Sequence, residues 1–473
     1  MKTALEKAYT HAVHWLEGLD SRDVGNKLSG TSLKDRFSQA LPEIGTDPST
    51  IIDELAESAE PGLIASSGGR FFAWVIGGGL ESALAADWLV STWDQNAAIH
   101  SCSPAVAVVE EIAGRWMLDL LDLPQECSFA FTTGCQLAHM TSLAAARHAV
   151  LRDADWDAER DGLFGAPRIT VLTSDNRHGS IERALRYLGI GLSAMHEVAT
   201  DECGRMLLDA LKTALDETSG PRILCLNAAD LNVGAFDDFD SLIPLAKEHD
   251  CWVHVDGAFG LMARASRSKR PLLKGIEMAD SWATDGHKWL NIPFDCGMAF
   301  VRDREAHAAS MTQDASYITL QDGNRDQIDW NPEWSRRARG VPVYAALREL
   351  GRAGVESLID RSCLYCEHIV SGIGALRDAH LVSAPTINQG LVRFSLPDMD
   401  PGAADTMTDT IIAKVNQSGE AFFSGTTWQG RRAMRVSVVN WRTTPKDAKR
   451  AIAAVERAIE HYRDEAALES ARL

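Results

Sequence analysis

Short apolar strands alternate with helices between residues 128 and 255. The predicted strands are 128–131, 168–173, 222–226 and 251–255, and helices are predicted between them at 135–150, 178–188 and 239–249. Strands that are apolar along their whole length are buried on both faces, so the alternation predicts an α/β fold with a mostly parallel sheet covered by helices. In such a sheet, ligands bind beyond the carboxyl ends of the strands.

A smaller α+β domain is predicted towards the C-terminus. Strand-like runs at 391–396, 421–424 and 433–439 precede a predicted helix at 445–461. We therefore expect three parts. They are an N-terminal helical segment at 1–80, a large domain at 81–345 and a small domain at 346–473.

The acidic balance of the chain argues against several classes of partner. A net charge of −19 and a pI near 5.2 disfavour binding to nucleic acid or to an anionic membrane. The longest apolar run, 71–80, is about half a membrane span, and the first 15 residues lack the apolar core of a signal peptide. We therefore expect a cytoplasmic protein with no membrane partner.

The cysteines indicate reduced thiols. There are nine of them, an odd number, and most lie scattered within apolar strands or helices, which is not the pattern of a disulfide framework. The close pair Cys363 and Cys366 has no second pair to complete a zinc site. We predict no metal.

Two polar features at strand-to-helix junctions are compatible with ligand binding. The turn formed by Gly134, Cys135 and Gln136 precedes a helix, and the amides of a helix N-terminus can hold phosphate. Many such turns bind nothing. His178 opens another predicted helix; it is either a cap or surface residue, or a residue that stacks on a flat cofactor ring.

The strongest chemical signal is the combination of Asp256 and Lys288. Asp256 ends a buried strand, where a carboxylate is costly unless it is paired, and a pyridinium nitrogen is a suitable partner. Gly257 and Ala258 leave space for a ring. Lys288 lies between His287 and a tryptophan, and a lysine amine can form a Schiff base with an aldehyde cofactor. This arrangement is the one used for pyridoxal phosphate.

At these residues the chain resembles the pyridoxal-phosphate-dependent group II amino-acid decarboxylases, the family of the aromatic amino acid, glutamate and histidine decarboxylases. The likeness extends from about residue 71 to residue 442, and 254–291 is its most specific part. The resemblance implies the fold-type I, aspartate aminotransferase-like architecture, in which the large domain binds pyridoxal 5'-phosphate. It also implies a homodimer with shared active sites, with the N-terminal segment serving dimerisation.

The resemblance implies a role for each matched residue. Lys288 is similar to the lysine that forms the Schiff base, and Asp256 is similar to the partner of the pyridine nitrogen. Ala258 would lie under the ring. His178 would stack over the ring and take part in catalysis. The residues implied on the phosphate side are Gly134, Cys135, Gln136 and His287.

Two departures from the aromatic decarboxylases concern the phosphate. Those enzymes carry serines in the phosphate turn where this chain has cysteine and leucine, so backbone amides and Thr133 must do more. Asp285 replaces a neutral asparagine. A carboxylate there would repel phosphate unless it turns away or binds a nearby cation.

Tyr317 matches a tyrosine of the family's flexible catalytic loop. Taken alone, Tyr317 is compatible with an ordinary aromatic residue of a loop that has no catalytic role. The resemblance implies a catalytic residue that protonates the substrate Cα after carbon dioxide leaves. In the family, phenylalanine at this position is associated with aldehyde-forming chemistry, so the tyrosine favours simple decarboxylation to the amine.

The substrate side is less constrained by the residues. The resemblance implies a substrate pocket that includes Phe72, Trp74, Val75 and Ser335. By composition alone, the glycine-rich segment 70–79 is either a packed loop or a pocket wall. No arginine stands out as a clamp for an acidic side chain, and the three left open are Arg70, Arg336 and Arg339.

We expect decarboxylation of an aromatic L-amino acid. The alternatives are a decarboxylase of an acidic or diamino acid, an aldehyde-forming oxidative decarboxylase, a lyase using the same cofactor, and a homologue without enzymatic activity.

Overall fold

A computed structural model of the chain describes residues 2–25, 28–312 and 323–470. Within these ranges the strands are β1 (Ser128–Thr132), β2 (Thr170–Ser174), β3 (Met195–Val198), β4 (Arg222–Asn227), β5 (Trp252–Asp256), β6 (Ser281–Asp285), β7 (Gly297–Val301), β8 (Ala379–Leu381), β9 (Gln389–Phe394), β10 (Ser424–Trp428) and β11 (Arg431–Ser437).

The helices alternate with these strands over much of the chain. They are α1 (Lys2–Gly18), α2 (Gly30–Phe37), α3 (Pro48–Ala59), α4 (Glu81–Trp93), α5 (Pro104–Leu120), α6 (Cys135–Arg152), α7 (Ala158–Asp161), α8 (Gly179–Tyr187), α9 (Leu208–Glu217), α10 (Phe239–Glu248), α11 (Arg304–Met311), α12 (Gly340–Gly374), α13 (Pro401–Ser418) and α14 (Pro445–Ser470). Helix α12 is kinked at Gly351, whose φ is 58°.

The chain packs into two compact units. One consists of Gly79–Cys363, and the other combines Met1–Gly78 with Leu364–Leu473. Backbone hydrogen bonds of Phe72 join the N-terminal and C-terminal parts of the second unit. The Phe72 amide donates to the Phe422 carbonyl, and the Phe72 carbonyl accepts from the Ser437 amide. The three-part division expected from the sequence stays a prediction.

The unit Gly79–Cys363 is built on a sheet with the strand order β1-β7-β6-β5-β4-β2-β3. Neighbouring strands from β3 through β6 run parallel, whereas β7 is antiparallel to both β1 and β6. This confirms the predicted mostly parallel sheet. Strands β3, β6 and β7 were not predicted.

The position of β5 determines where the site lies. This strand is central, and its last residue, Asp256, pairs with Asn227 of β4 and Ala283 of β6. Asp285 ends β6 two residues beyond that pairing. Helix α6 packs over β5, β6 and β7, so its N-terminus and the carboxyl ends of β5 and β6 are brought to one edge of the sheet.

The other unit contains an antiparallel sheet with the order β10-β11-β9-β8. Helices α13 and α14 pack together with it around a core that includes Phe72, Phe394, Phe423 and Met434. The predicted α+β character of the C-terminal part is therefore confirmed. Strand β8 was not predicted, and β10 begins where the predicted strand 421–424 ends.

Two further expectations concern the chain as a whole. All nine cysteines are free thiols in the structure. No helix in the described ranges combines the length and apolarity needed to cross a lipid bilayer.

Candidate active site

The turn between β1 and α6 forms one wall of the site. Gly134 has a φ of 149°, a conformation that side chains rarely adopt. A Cβ at Gly134 would point to within 3.5 Å of His287 and 3.7 Å of Asp285, while a Cβ at Gly297 would lie 2.3 Å from the Gly134 backbone. Glycine at both positions thus lets the turn lie against β7 and leaves space beside the α6 N-terminus.

Lys288 follows β6 and reaches the same space. Its Nζ lies 3.0 Å from Asp285 Oδ2, and its side chain retains 21% exposure. Burial acts to lower the pKa of Lys288, but the carboxylates of Asp285 and Asp256 outweigh this effect, and the pKa lies above its ordinary value. The amine is therefore held in its charged form beside Asp285.

Asp285 occupies the α6 N-terminus. Its Oδ1 accepts a hydrogen bond of 2.6 Å from the Cys135 amide, so it caps a helix whose own cap residue, Gly134, has no side chain. The sequence raised the problem of a carboxylate beside a phosphate. In the structure this carboxylate pairs with a cation, Lys288, and accepts the hydrogen bond of the Cys135 amide, which a bound phosphate would otherwise accept.

His287 adds a ring to this wall. Its Nδ1 accepts from the Cys296 amide at 3.2 Å, its Nε2 lies 3.6 Å from Asp285 Oδ1, and it stacks on Phe294 at 4.4 Å. Burial lowers the pKa of His287. A neutral ring that accepts at Nδ1 carries its proton at Nε2, so it directs an N–H towards the phosphate turn.

Asp256 lies at the end of β5. Its Oδ1 accepts from the Ala258 amide at 3.1 Å and lies 3.5 Å from His139 Nε2. Burial acts to raise the pKa of Asp256, but the neighbouring histidines and the amide outweigh it, and the pKa falls well below its usual range. The group is therefore a carboxylate at neutral pH, as a partner for a protonated ring nitrogen must be.

His178 is the N-cap of α8. Its Nδ1 accepts from the Ser180 amide at 3.2 Å and lies 2.7 Å from the Ser180 hydroxyl. His178 also contributes to the lowered pKa of Asp256, so the capping ring lies near that carboxylate. Gln136 Nε2 donates to the Ser180 carbonyl at 3.1 Å, which ties α6 to α8 beside the site.

Three polar residues that connect to Asp256, directly or through one another, were not predicted. They are His139, His254 and Ser281. The sequence signal that could have found His254 is the alternation Trp252-Val253-His254-Val255-Asp256. It places three side chains with polar groups on one face of a buried strand. Cys135, His139 and Asp256 also have ligand atoms within 4.8 Å of one another, a spacing that could hold a metal. A thiolate would be needed, whereas burial and the two carboxylates raise the pKa of the Cys135 thiol well above its usual value.

The predicted substrate residues are distributed over both units. Phe72 is fully buried and stacks on Phe423 at 5.4 Å, within the core of its unit. Trp74 is 51% exposed, and the consecutive φ values of Trp74 and Val75 are 53° and 58°. Left-handed conformations of two non-glycine residues, one of them β-branched, are strained and are typical of functional segments. Ser335 is exposed in the other unit; Tyr317 lies outside the described residues.

The three arginines considered as acid clamps are engaged within the protein. The Arg70 guanidinium donates to four backbone carbonyls, at Asp20, Arg22, Gly419 and Glu420. Arg336 forms a buried ion pair of 2.6 Å with Glu110. Arg339 pairs with Asp295 at 2.7 Å and with Glu333 at 3.1 Å.

This arrangement fits pyridoxal phosphate. The α6 amides and the His287 Nε2–H can hold the phosphate, the Asp256 carboxylate can hold the proton of the ring nitrogen, and Lys288 can supply the amine. Ala258, partly buried beside Cys135 and Ala283, leaves room for a ring. Asp285 opposes binding, because it adds negative charge at the phosphate turn.

We predict that Asp285→Asn strengthens binding of pyridoxal phosphate to the apo protein. Asparagine can still accept from the Cys135 amide, so the cap is kept while the charge is removed. The expected change in Kd is about tenfold, or ~1.4 kcal/mol, measured by absorbance titration at pH 8. Weaker binding would show instead that the carboxylate supports the phosphate site.

Comparison with known proteins identifies the family. The model of the pyridoxal-dependent decarboxylase conserved domain matches residues 31–397. An aromatic-L-amino-acid decarboxylase from Bacillus atrophaeus is 27% identical, and the match covers 91% of this chain and 89% of the relative. An L-2,4-diaminobutyrate decarboxylase from Rhizobium meliloti is 28% identical, and the match covers 88% of this chain and 83% of the relative. The crystal structure of Oryza sativa TDC with PLP and tryptamine superposes with a TM-score of 0.91 at 21% identity, covering 98% of both chains, and so shares the fold. The chain belongs to the pyridoxal-dependent decarboxylase family and is a pyridoxal-phosphate-dependent carboxy-lyase of fold-type I.

Proposed function

We propose that the enzyme decarboxylates an aromatic L-amino acid to the corresponding amine and carbon dioxide. The observation that carries the choice of substrate is the engagement of Arg70, Arg336 and Arg339 by protein groups. An acidic side chain would need a cation, and these three are already neutralised or bound.

Each site residue has a proposed task. Bound pyridoxal phosphate supplies an electron-withdrawing ring that takes up the electron pair left at Cα when the carboxylate departs. Lys288 would hold the cofactor covalently, Asp256 would keep a proton on the ring nitrogen, and the Gln136 amide with the His287 Nε2–H would bind the phosphate. His178, whose Nδ1 is tied to α8, would present its ring to the cofactor.

Tyr317 remains the proposed proton donor to Cα. Its presence in the sequence supports amine formation over aldehyde formation. A diamino acid is the second candidate substrate, because the L-2,4-diaminobutyrate decarboxylase is as similar to this chain as the aromatic enzyme is.

A substrate panel tests the proposal directly. Holoenzyme is given aromatic, acidic and diamino L-amino acids, and carbon dioxide, amine, aldehyde and peroxide are measured separately. We expect an aromatic amino acid to give the highest kcat/KM, by at least about tenfold, with amine and carbon dioxide in equal amounts. Preference for glutamate, aspartate or 2,4-diaminobutyrate would contradict the substrate, and stoichiometric peroxide without amine would contradict the reaction.

We further propose that the enzyme works in the cytoplasm as a homodimer with shared active sites. Large apolar side chains exposed on α4, including Trp88, Leu89 and Trp93, support a covered surface there. A monomeric mass for active holoenzyme in light scattering would contradict the dimer.

A further inference from the structure

The central strand β5 carries a row of buried polar groups. Trp252, His254 and Asp256 alternate with two valines and therefore share one face of the strand. All three residues are at most 8% exposed. Buried polar groups are costly unless each finds a hydrogen-bond partner, so this row requires partners.

The partners come from β6 and α6. Trp252 Nε1 donates to Ser281 Oγ at 3.0 Å, and the same oxygen lies 2.9 Å from His254 Nδ1. His254 Nε2 lies 2.9 Å from His139 Nδ1, and His139 Nε2 lies 3.5 Å from Asp256 Oδ1. We call Trp252, Ser281, His254, His139 and Asp256 the β5 network.

The indole gives the β5 network a direction. An indole N–H can only donate, so the Ser281 oxygen accepts from it and its own proton is available to His254 Nδ1. Burial lowers the pKa of His254 to about 3, so this ring is neutral. A neutral ring that accepts at Nδ1 donates at Nε2, to His139 Nδ1. On this assignment of protons, His139 accepts at Nδ1 and carries its own proton at Nε2.

Two acceptors face that Nε2–H. One is the Asp256 carboxylate, and the other is Cys135 Sγ at 3.3 Å. A thiol sulfur is a weak acceptor, whereas a carboxylate is charged and attracts the N–H even at the ion-pair distance of 3.5 Å. The carboxylate therefore determines what His139 does, although its contact is the longer of the two.

We propose that His139 is a positioning residue for decarboxylation, which holds Asp256 ionised and oriented towards the ring nitrogen of the cofactor. The inference rests on the proposed role of Asp256. His139 itself does not touch the cofactor in this scheme. Ser281 and His254 act one step further back, by setting which nitrogen of His139 carries the proton.

A double-mutant cycle between His139 and Asp256 tests this inference. We expect His139→Leu to weaken binding of pyridoxal phosphate to the apo protein about tenfold and to lower kcat about tenfold, with KM changed less than twofold. In an Asp256→Ala background the same substitution should change either quantity less than about twofold, because the residue through which it acts is gone.

Two further variants separate positioning from packing. His139→Gln keeps an N–H donor near the Nε2 position and should restore most of the loss. Ser281→Ala interrupts the network two steps away and should give a smaller loss of the same kind. His307→Leu is the matched control, since His307 is as buried as His139 and its ring is also hydrogen-bonded within the protein, in this case to the Ser128 hydroxyl at 2.8 Å. It should lower the Tm without coupling to Asp256.

The outcomes distinguish this inference from the proposed function. If Asp256→Ala alone leaves cofactor binding and kcat unchanged, the role of Asp256 fails and this inference fails with it. If Asp256→Ala is damaging but the effects of the two substitutions simply add, the proposed function stands and the positioning role of His139 is overturned. Equal losses in His139→Leu and His139→Gln would also overturn it.

Discussion

Lys288→Ala is expected to abolish decarboxylation and the covalent retention of pyridoxal phosphate. The amine lies 3.0 Å from Asp285 at the phosphate turn, and no other side chain is proposed to carry the cofactor. We expect kcat to fall at least about 10³-fold, equivalent to ~4 kcal/mol of transition-state stabilisation. Borohydride treatment should attach the cofactor to the Lys288 peptide of the wild-type enzyme, detected by mass spectrometry, and to no peptide of the variant.

Lys212→Ala is the matched control. That lysine is 61% exposed on α9 and pairs with Asp216 at 2.8 Å, so its removal should leave the absorbance spectrum and kcat unchanged. Wild-type activity and spectrum in Lys288→Ala would contradict the enzymatic assignment of this lysine.

The second large effect is expected for Asp256→Asn. The substitution preserves shape but removes the negative charge that would hold a proton on the ring nitrogen. We expect kcat to fall by about 10² to 10³-fold, or ~3 to 4 kcal/mol, with a small change in KM. Steady-state kinetics on holoenzyme measure this, with Asp216→Asn on the surface of α9 as the control.

The pH dependence of Asp256 has a defined sign. The pKa of Asp256 is lowered in the folded protein, so its contribution to stability is present above the ordinary pKa of an aspartate and is lost as the pH falls towards the lowered value. Asp256 should therefore stay ionised across neutral pH. An acid limb of the kcat profile between pH 5 and 8 that disappears in Asp256→Asn would contradict this.

Much of the fold was predictable from local patterns. A strand buried on both faces of a sheet has a continuous apolar run. Strands β1, β2, β4 and β5 were therefore predicted from such runs, and their parallel arrangement from the alternation of the runs with helices. The polar ends of β1 and β5 also indicated where a ligand would bind. Strand β6 was missed because Ser281–Asp285 mixes polar and apolar residues, although it is fully buried.

The direction of individual side chains could not be predicted. The sequence showed that Asp285 was out of place beside a phosphate, but only the packing of β6 against the α6 N-terminus shows that it caps the helix and pairs with Lys288. The three arginines were equivalent in the sequence. In the folded chain each guanidinium group already binds groups of the protein that are distant in sequence, as Arg336 binds Glu110, so it is not held ready for a substrate.

The local sequence was sufficient to predict a mostly parallel sheet, the cofactor class and Lys288 and Asp256 as candidate site residues, because backbone periodicity and side-chain chemistry are properties of neighbouring residues. The electrostatics of the site required the folded chain. His139 and Asp256 are more than a hundred residues apart in sequence and 3.5 Å apart in space, and a charge interaction at such a distance depends on how helix and strand pack against each other.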